Sequence, residues 1–434
     1  MKKTTYATLL LFLSLFSNLN AQQFPYPALV GYWEAWNQNV KLAQINPNYN
    51  VIEVSFATTK GSSMCNMEFT VPWFYSSSTA FKNDINTLHN QNRVVLLSIG
   101  GAADAVYLPD YLSKDTFITT MNKILDLYPF DGIDLDLETS SLAFSNITLA
   151  NPSDSALINI IDATKQILQH YQSTHSKRCF LTMAPEILYV QGAINTSGNG
   201  NYLPIIDALR NDLDMLMVQL YNAGSARAAD GSLVYPMTAD FIVGLTEAVI
   251  LGFDVNLSGG QSEHFDGLPA RKVGVGLPSC STAGGKYTDT TTVRAAVKYL
   301  LGVGPQTGSY TLYNPSATAS LGGMMTWSIN KDLSCTTTPP NSFSRNFAKL
   351  FGGVGIKENE FSEKISVYPN PSSDRVTLSF PTINQPVAVQ IYNSIGAKVL
   401  EQTIVQQHTF DFSNFAEGLY IIKVGAESTR LIKE

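Results

Sequence analysis

The chain runs to 434 residues, with 44% hydrophobic residues, 15% charged residues and a formal net charge of −7. That length suits one large domain plus a small one, and the apolar content suits a sizeable buried core. The lack of a basic footprint argues against nucleic acid as a partner, whereas a neutral polysaccharide needs no steering field.

The N-terminus reads as an export signal covering residues 1–21. Lys2 and Lys3 form a positive start, Ala7 to Phe16 is almost wholly apolar, and Ala21 is a plausible cleavage point, although Leu19 is a poor residue three positions before it. The alternative is a membrane anchor, but the run is shorter than the roughly 20 residues a bilayer span requires. No later segment is long and apolar enough to span, so a soluble, secreted mature protein is expected. The four cysteines, Cys65, Cys179, Cys280 and Cys335, allow one or two disulfides after export and show no zinc spacing.

From about residue 28 to 352, short apolar runs alternate with helical patterns. The runs are Leu29–Trp36, Val51–Ala57, Val94–Gly100, Asp131–Glu138, Cys179–Glu186, Leu213–Tyr221, Lys272–Ser279 and Gly322–Ser328. Helical character lies between them at Asp115–Tyr128, Ser155–His175, Asp240–Leu251, Thr291–Leu301 and Ser342–Phe351, with the first two helices weak by pattern. Near-continuous apolar strands alternating with helices predict a parallel sheet, and eight such units predict a closed (β/α)8 barrel. Residues 22–352 form this expected barrel domain. Cys280 and Cys335 follow strands that would be neighbours in it, so they are the expected disulfide. Cys179 is expected as a buried thiol.

A linker is expected at residues 353–364, from its glycines and charged stretch. Residues 365–434 then show alternating runs at Val376–Phe380, Val387–Tyr392, Lys398–Gln402 and Gly418–Val424, separated by turn signals, which predicts a small all-β sandwich.

The sharpest chemical signal is Phe130-Asp131-Gly132-Ile133-Asp134-Leu135-Asp136-Leu137-Glu138. Side chains alternate along a strand, so Asp134, Asp136 and Glu138 share one face and Ile133, Leu135 and Leu137 the other. The apolar set should face the helices and the carboxylates the barrel interior, with Glu138 at the C-terminal mouth where barrel enzymes carry out their chemistry. Three carboxyls this close cannot all ionise cheaply, and a protonated Glu138 beside a partly ionised pair is what a general acid needs. The other readings are a solvated or capping acidic run and a divalent-metal site. The first is disfavoured by the cost of burying charge, the second by the lack of further ligands on neighbouring strands. Asp131, out of phase with the other acids, reads as structural support.

These residues resemble the family-18 glycoside hydrolases, whose hallmark is a DxxDxDxE strand. Further matches follow in barrel order: Ser98-Ile99-Gly100-Gly101, Met183-Ala184-Pro185-Glu186, Met217-Val218-Gln219-Leu220-Tyr221-Asn222 and Gly323-Met324-Met325-Thr326-Trp327-Ser328. The resemblance implies a retaining, substrate-assisted mechanism, an exception to the two-carboxylate scheme. In it Glu138 is the acid, Asp136 steadies the substrate's acetamido group, and Asp134 holds the proton that lets Asp136 turn. Tyr221 bonds the acetamido carbonyl and Trp327 floors the sugar, with Met183, Met217, Gln219 and Asn222 lining the same subsite. Trp36 is a further candidate sugar platform; Trp33 could be one too or could equally pack in the core. No metal or cofactor is implied.

Leu137 and Thr139 stand where one large branch of the family has Trp and Tyr. The stretch from about 280 to 320 has no room for an added α+β domain. Both features resemble the shorter, shallow-cleft, endo-acting chitinases. The implied partners are chitin or N-acetylglucosamine oligosaccharides, with a monomer expected. Alternatives are an endo-β-N-acetylglucosaminidase acting on N-glycan cores, separated from a chitinase by loops such as Ser140–Pro152 and Gly224–Arg271, and a non-catalytic lectin. The tail, through Val367-Tyr368-Pro369-Asn370-Pro371, Ile391–Gly396, Gly418–Val424 and the terminal Leu431–Glu434, resembles a type A sorting domain of the type IX secretion system. That implies the type IX machinery as a partner and release to the surface or medium. A carbohydrate-binding module is the rival reading of the tail.

Overall fold

The computed structural model describes residues 23–145, 147–193, 199–257, 260–352, 366–379, 387–393, 397–405, 407–424 and 427–434. The segments read as export signal and linker, and the turn at Ser394–Gly396, lie outside them. The chain divides into two compact units, on either side of residue 355.

In the first unit eight parallel strands close into a barrel. They are β1 (Ala28–Glu34), β2 (Val51–Thr59), β3 (Val94–Gly100), β4 (Gly132–Asp136), β5 (Phe180–Met183), β6 (Met215–Gln219), β7 (Val273–Pro278) and β8 (Gly323–Trp327). Each pairs with the next, and β1 pairs with both β2 and β8, which leaves no free edge among the barrel strands. Every predicted run coincides with one of these strands.

Helices cover the outside: α1 (Ser78–His89), α2 (Tyr111–Leu127), α3 (Ser155–His175), α4 (Leu203–Leu209), α5 (Ala239–Leu251), α6 (Thr290–Leu300) and α7 (Ser342–Phe351). Their starts follow capping chemistry. Asp154 accepts from the backbone N–H of Ala156 and Leu157 at the head of α3, and Asp110 forms a reciprocal capping box with Ser113 on α2. Between β1 and β2 a single 3-10 turn, Leu42–Gln44, replaces a helix, in line with the weak pattern there.

Period-two alternation divides the strand residues between two apolar layers. Leu29, Ile52, Val54, Leu97, Ile133, Leu135 and Leu181 pack outward against the helices. Ala28, Val30, Tyr32, Val51, Leu96, Phe180, Met215, Met217 and Met325 fill the interior. The Ser98–Gly101 stretch shows why glycine is required at the top of β3. Gly100 and Gly101 both have positive φ. A Cβ on Gly100 would lie 2.4 Å from the Asp136 carbonyl oxygen, and one on Gly101 would lie 2.8 Å from the Phe56 ring.

Cys280 and Cys335 form a disulfide with a Cα–Cα distance of 6.4 Å, tying the segments that follow β7 and β8. Cys179 is a buried free thiol. Two hairpins follow β6, Ala226–Arg227 with Leu233–Val234 and Phe253–Asn256 with Ser262–Phe265. The backbone N–H of Leu149 donates to Glu263, which joins the Ser140–Pro152 loop to the second hairpin.

The second unit is an antiparallel sandwich. A three-stranded sheet (Ser366–Tyr368, Arg375–Ser379, Gln407–Asp411) and a four-stranded sheet (Lys398–Ile404, Val387–Asn393, Gly418–Val424, Glu427–Lys433) share a core of Val376, Leu378, Val389, Ile391, Phe410, Phe412, Ile422 and Leu431.

Candidate active site

The carboxylates of β4 line up as alternation requires. Asp134 is fully buried, Asp136 nearly so, and Glu138, two residues past the strand, borders a cleft of about 740 Å³ at the C-terminal ends of the strands. Glu138, Asp136, Gln219, Tyr221, Trp327 and Trp36 all line this cleft.

Asp134 is an acceptor at each of its contacts. Its Oδ2 takes hydrogen bonds from Tyr32 Oη and Ser98 Oγ, both at 2.7 Å, and its Oδ1 lies 2.8 Å from Thr182 Oγ1. Burial raises its proton affinity, and these three hydroxyls oppose the rise. Higher up, Gln219 Nε2 lies 3.0 Å from Asp136 Oδ1, 3.1 Å from Glu138 Oε1 and 2.9 Å from the Ala184 carbonyl oxygen. The amide therefore clamps the two upper carboxyls from β6, two strands along the barrel from β4.

Asp136 and Glu138 both lie within reach of the Gln219 amide nitrogen, and two carboxyls this close cannot both ionise cheaply, which favours one proton shared between them. Burial, followed by the charges of Glu138 and Asp134, holds Asp136 well above the usual carboxylate range. Burial also raises Glu138, against hydrogen bonds from Gln219 and Asp136. Glu186 is raised by burial and by the nearby Glu138. Tyr221, raised by burial and by Asp136, stays a neutral hydroxyl. One proton shared between carboxyls near the mouth of a buried acidic cluster is the electrostatic form of a general acid.

The apolar wall is aromatic. Trp327 stacks on Phe56 with centroids 6.1 Å apart and planes 13° apart, and Trp36 stacks on Phe56 at 6.2 Å and 24°. Trp36 is 54% exposed and Trp73, also on the cleft wall, 71%. Flat rings beside hydrogen-bonding carboxyls suit a sugar, which offers C–H faces and polar edges. A second cavity of about 690 Å³ shares Glu186, Tyr221 and Asn222 with the first and extends between the two hairpins after β6.

The matches to known proteins agree with this geometry. Residues 28–313 match the model of glycosyl hydrolases family 18, and residues 366–434 match that of a secretion system C-terminal sorting domain. This chain belongs to glycosyl hydrolase family 18. Chitinase D of Niallia circulans is 35% identical over 341 residues, covering 76% of this chain and 63% of that protein. Chitinase Chi52 of Paenibacillus xylanexedens is 37% identical over 313 residues, covering 70% of this chain and 58% of that one. The chain thus spans less than two thirds of the length of these relatives. Chitinase ChiA of Flavobacterium johnsoniae is 31% identical over 417 residues, 88% of this chain and 26% of that protein. A family-18 chitinase structure from Chromobacterium violaceum superposes with a TM-score of 0.65 at 31% identity, covering 77% of this chain and 85% of that one.

Two residues expected in the family-18 subsite lie elsewhere. Thr182 and Ala184 face the barrel interior, so alternation turns Met183 outward into the layer under the helices, away from the cleft. Met217 shares the inward face with Gln219 but sits one step deeper, packed with Met215 and Met325 below the cleft floor. Trp33 is fully buried, its indole N–H donating to the Val40 carbonyl oxygen at 2.9 Å. Asn222 lines the cleft with positive φ, and its Oδ1 accepts from the Gly285 N–H at 2.6 Å. Asp131 accepts from the Val95 N–H at 2.9 Å and contacts His89 at 2.9 Å, supporting the base of β4.

Tyr32, Glu53, Thr182 and Trp73 enter the site without having been read from the sequence. Glu53 left a signal, since a carboxylate inside Val51-Ile52-Glu53-Val54 is out of place in an apolar strand. Among the described residues no group of three or more His, Cys, Asp or Glu is arranged to hold a metal ion.

Proposed function

We propose that this protein is a secreted chitinase that cuts β-1,4 linkages between N-acetylglucosamine units within a chain, with retention at the anomeric carbon. The observation that carries the reading is Glu138 at the rim of an aromatic cleft, held by the Gln219 amide together with the buried Asp136. The chitinases named above, similar over most of this chain, support the substrate class.

In this reading Glu138 protonates the glycosidic oxygen as the bond breaks. The substrate's acetamido oxygen attacks the anomeric carbon opposite the leaving group, and water then opens the oxazolinium ion from the face the leaving group vacated, which gives retention. Asp136 turns from Glu138 toward the acetamido N–H and stabilises the positive charge that grows there. Tyr221 donates to the acetamido oxygen, and Trp327 supports the apolar face of the same sugar. The second cavity, which adjoins the first at Glu186, Tyr221 and Asn222, supports binding of a chain on both sides of the cut, which is what internal cleavage needs. The open cleft wall with Trp36 and Trp73 supports it further.

Around this activity we divide the chain into an export signal at 1–21, the catalytic domain at 22–352, a linker at 353–364 and a sorting domain at 365–434. The last would hand a monomeric enzyme to the type IX secretion machinery.

Mass spectrometry of products from chitohexaose and from a high-mannose glycoprotein tests the function. Short N-acetylglucosamine oligomers from wild type, absent with Glu138→Gln, are expected. Release of glycan that leaves one sugar on the protein would move the assignment to N-glycan cores, and no product from either substrate would overturn catalysis.

A further inference from the structure

Below the triad lies a carboxyl that the reaction above does not use. Glu53 of β2 is completely buried in the barrel interior. Its Oε1 lies 3.1 Å from Thr182 Oγ1, which also lies 2.8 Å from Asp134 Oδ1. Its Oε2 meets no donor among the described residues.

A hydroxyl has one proton to give. Thr182 therefore donates to one of these carboxyls and must accept from the other, and the one it accepts from is protonated. The surroundings decide which. Asp134 already accepts from Tyr32 and Ser98, so with Thr182 its charge has three donors. Glu53 as an anion would have one donor at most and an oxygen facing none, so its desolvation would go largely uncompensated.

We infer that Glu53 is a permanently protonated positioning residue, whose Oε1–H donates to Thr182 and so turns the threonine proton onto Asp134, fixing Asp134 as the charged member of the triad. The inference rests on the triad's role in the proposed reaction, and it moves the resting proton away from Asp134, where family resemblance had put it. The titratable groups facing Glu53 are Tyr32 from β1 and Asp134 and Asp136 from β4. Burial and the Asp134 charge push Glu53 well above the usual carboxylate range. With that proton held below, the one left to move is shared by Asp136 and Glu138.

The test does not depend on turnover. Infrared spectra of the unliganded full chain at neutral pH should show two protonated-carboxyl carbonyl contributions, one from Glu53 that is lost in Glu53→Gln and kept in Asp134→Asn, and one from the Asp136–Glu138 pair that is kept in Glu53→Gln. A spectrum that loses neither contribution in Glu53→Gln and loses one in Asp134→Asn overturns the inference, whatever the substrate proves to be. Kinetics give a second reading. Glu53→Leu should free the Thr182 hydroxyl and move the acidic limb of kcat/KM upward by on the order of one pH unit. Glu53→Gln, whose amide can still donate to Thr182, should restore the wild-type limb. A glutamine variant shifted as far as the leucine variant, or a leucine variant with no shift, would also overturn it. If the leucine variant does not fold, the infrared comparison decides alone.

Discussion

Gln219 donates to Glu138 at 3.1 Å from β6, two strands along the barrel from β4, and the same amide nitrogen reaches Asp136 at 3.0 Å. The contact holds the acid's proton affinity down against burial. Gln219→Leu removes it, so Glu138 should keep its proton to higher pH and the alkaline limb of kcat/KM should move upward. kcat should fall by about 10- to 100-fold, because the pair also loses its orientation. A pH–rate profile on a chromogenic chitobioside checks both.

Glu138→Gln keeps the size of the side chain and removes the proton donor. kcat should drop by about 10²- to 10⁴-fold with KM changed little, as expected when an interaction made in the transition state is lost. Steady-state kinetics on chitohexaose measures this, and a variant within about tenfold of wild type would sink the acid assignment.

Asp136 makes stability depend on pH. Its folded proton affinity is raised, so the folded state holds a proton that the unfolded chain releases once pH passes the ordinary carboxylate value near 3.8. Below that value both states are protonated and the cost is absent. It grows as pH rises toward the raised folded value. Asp136→Asn should therefore match wild type in Tm at the acid end and exceed it at pH 7 to 8. Thermal melts across that range measure the gap, and a constant difference would contradict the burial argument.

The Cys280–Cys335 bridge closes a separation of 55 residues across the ends of β7 and β8, near Trp327. Changing both cysteines to serine should cost about 2–4 kcal/mol of stability. Calorimetry with and without reductant checks it, and reductant should lower the Tm of wild type alone.

Trp73 stands 71% exposed on the cleft wall. Trp73→Ala should raise KM for chitohexaose by about 2- to 10-fold, the worth of one ring face. A disaccharide substrate too short to reach it should be unaffected, and equal losses on both would mean a folding effect.

The eight strands and the triad's shared face were legible in the sequence because period-two alternation acts between neighbouring residues. Ile133, Leu135 and Leu137 on one side force Asp134, Asp136 and Glu138 onto the other wherever the strand ends up. The adjacency of Cys280 and Cys335 followed in the same way, from strand order. Met183 was misread because a motif says which residues recur and not which way each one faces; the inward turn of Thr182 settles its direction. The meeting of Tyr32, Glu53, Thr182 and Gln219 around two aspartates was decided only by barrel closure. Four separate strands bring them together, and each hydrogen bond forms because the closed interior excludes water and leaves these groups no other partners. Sequence determined which faces would carry charge, and the tertiary structure decided which charges would meet.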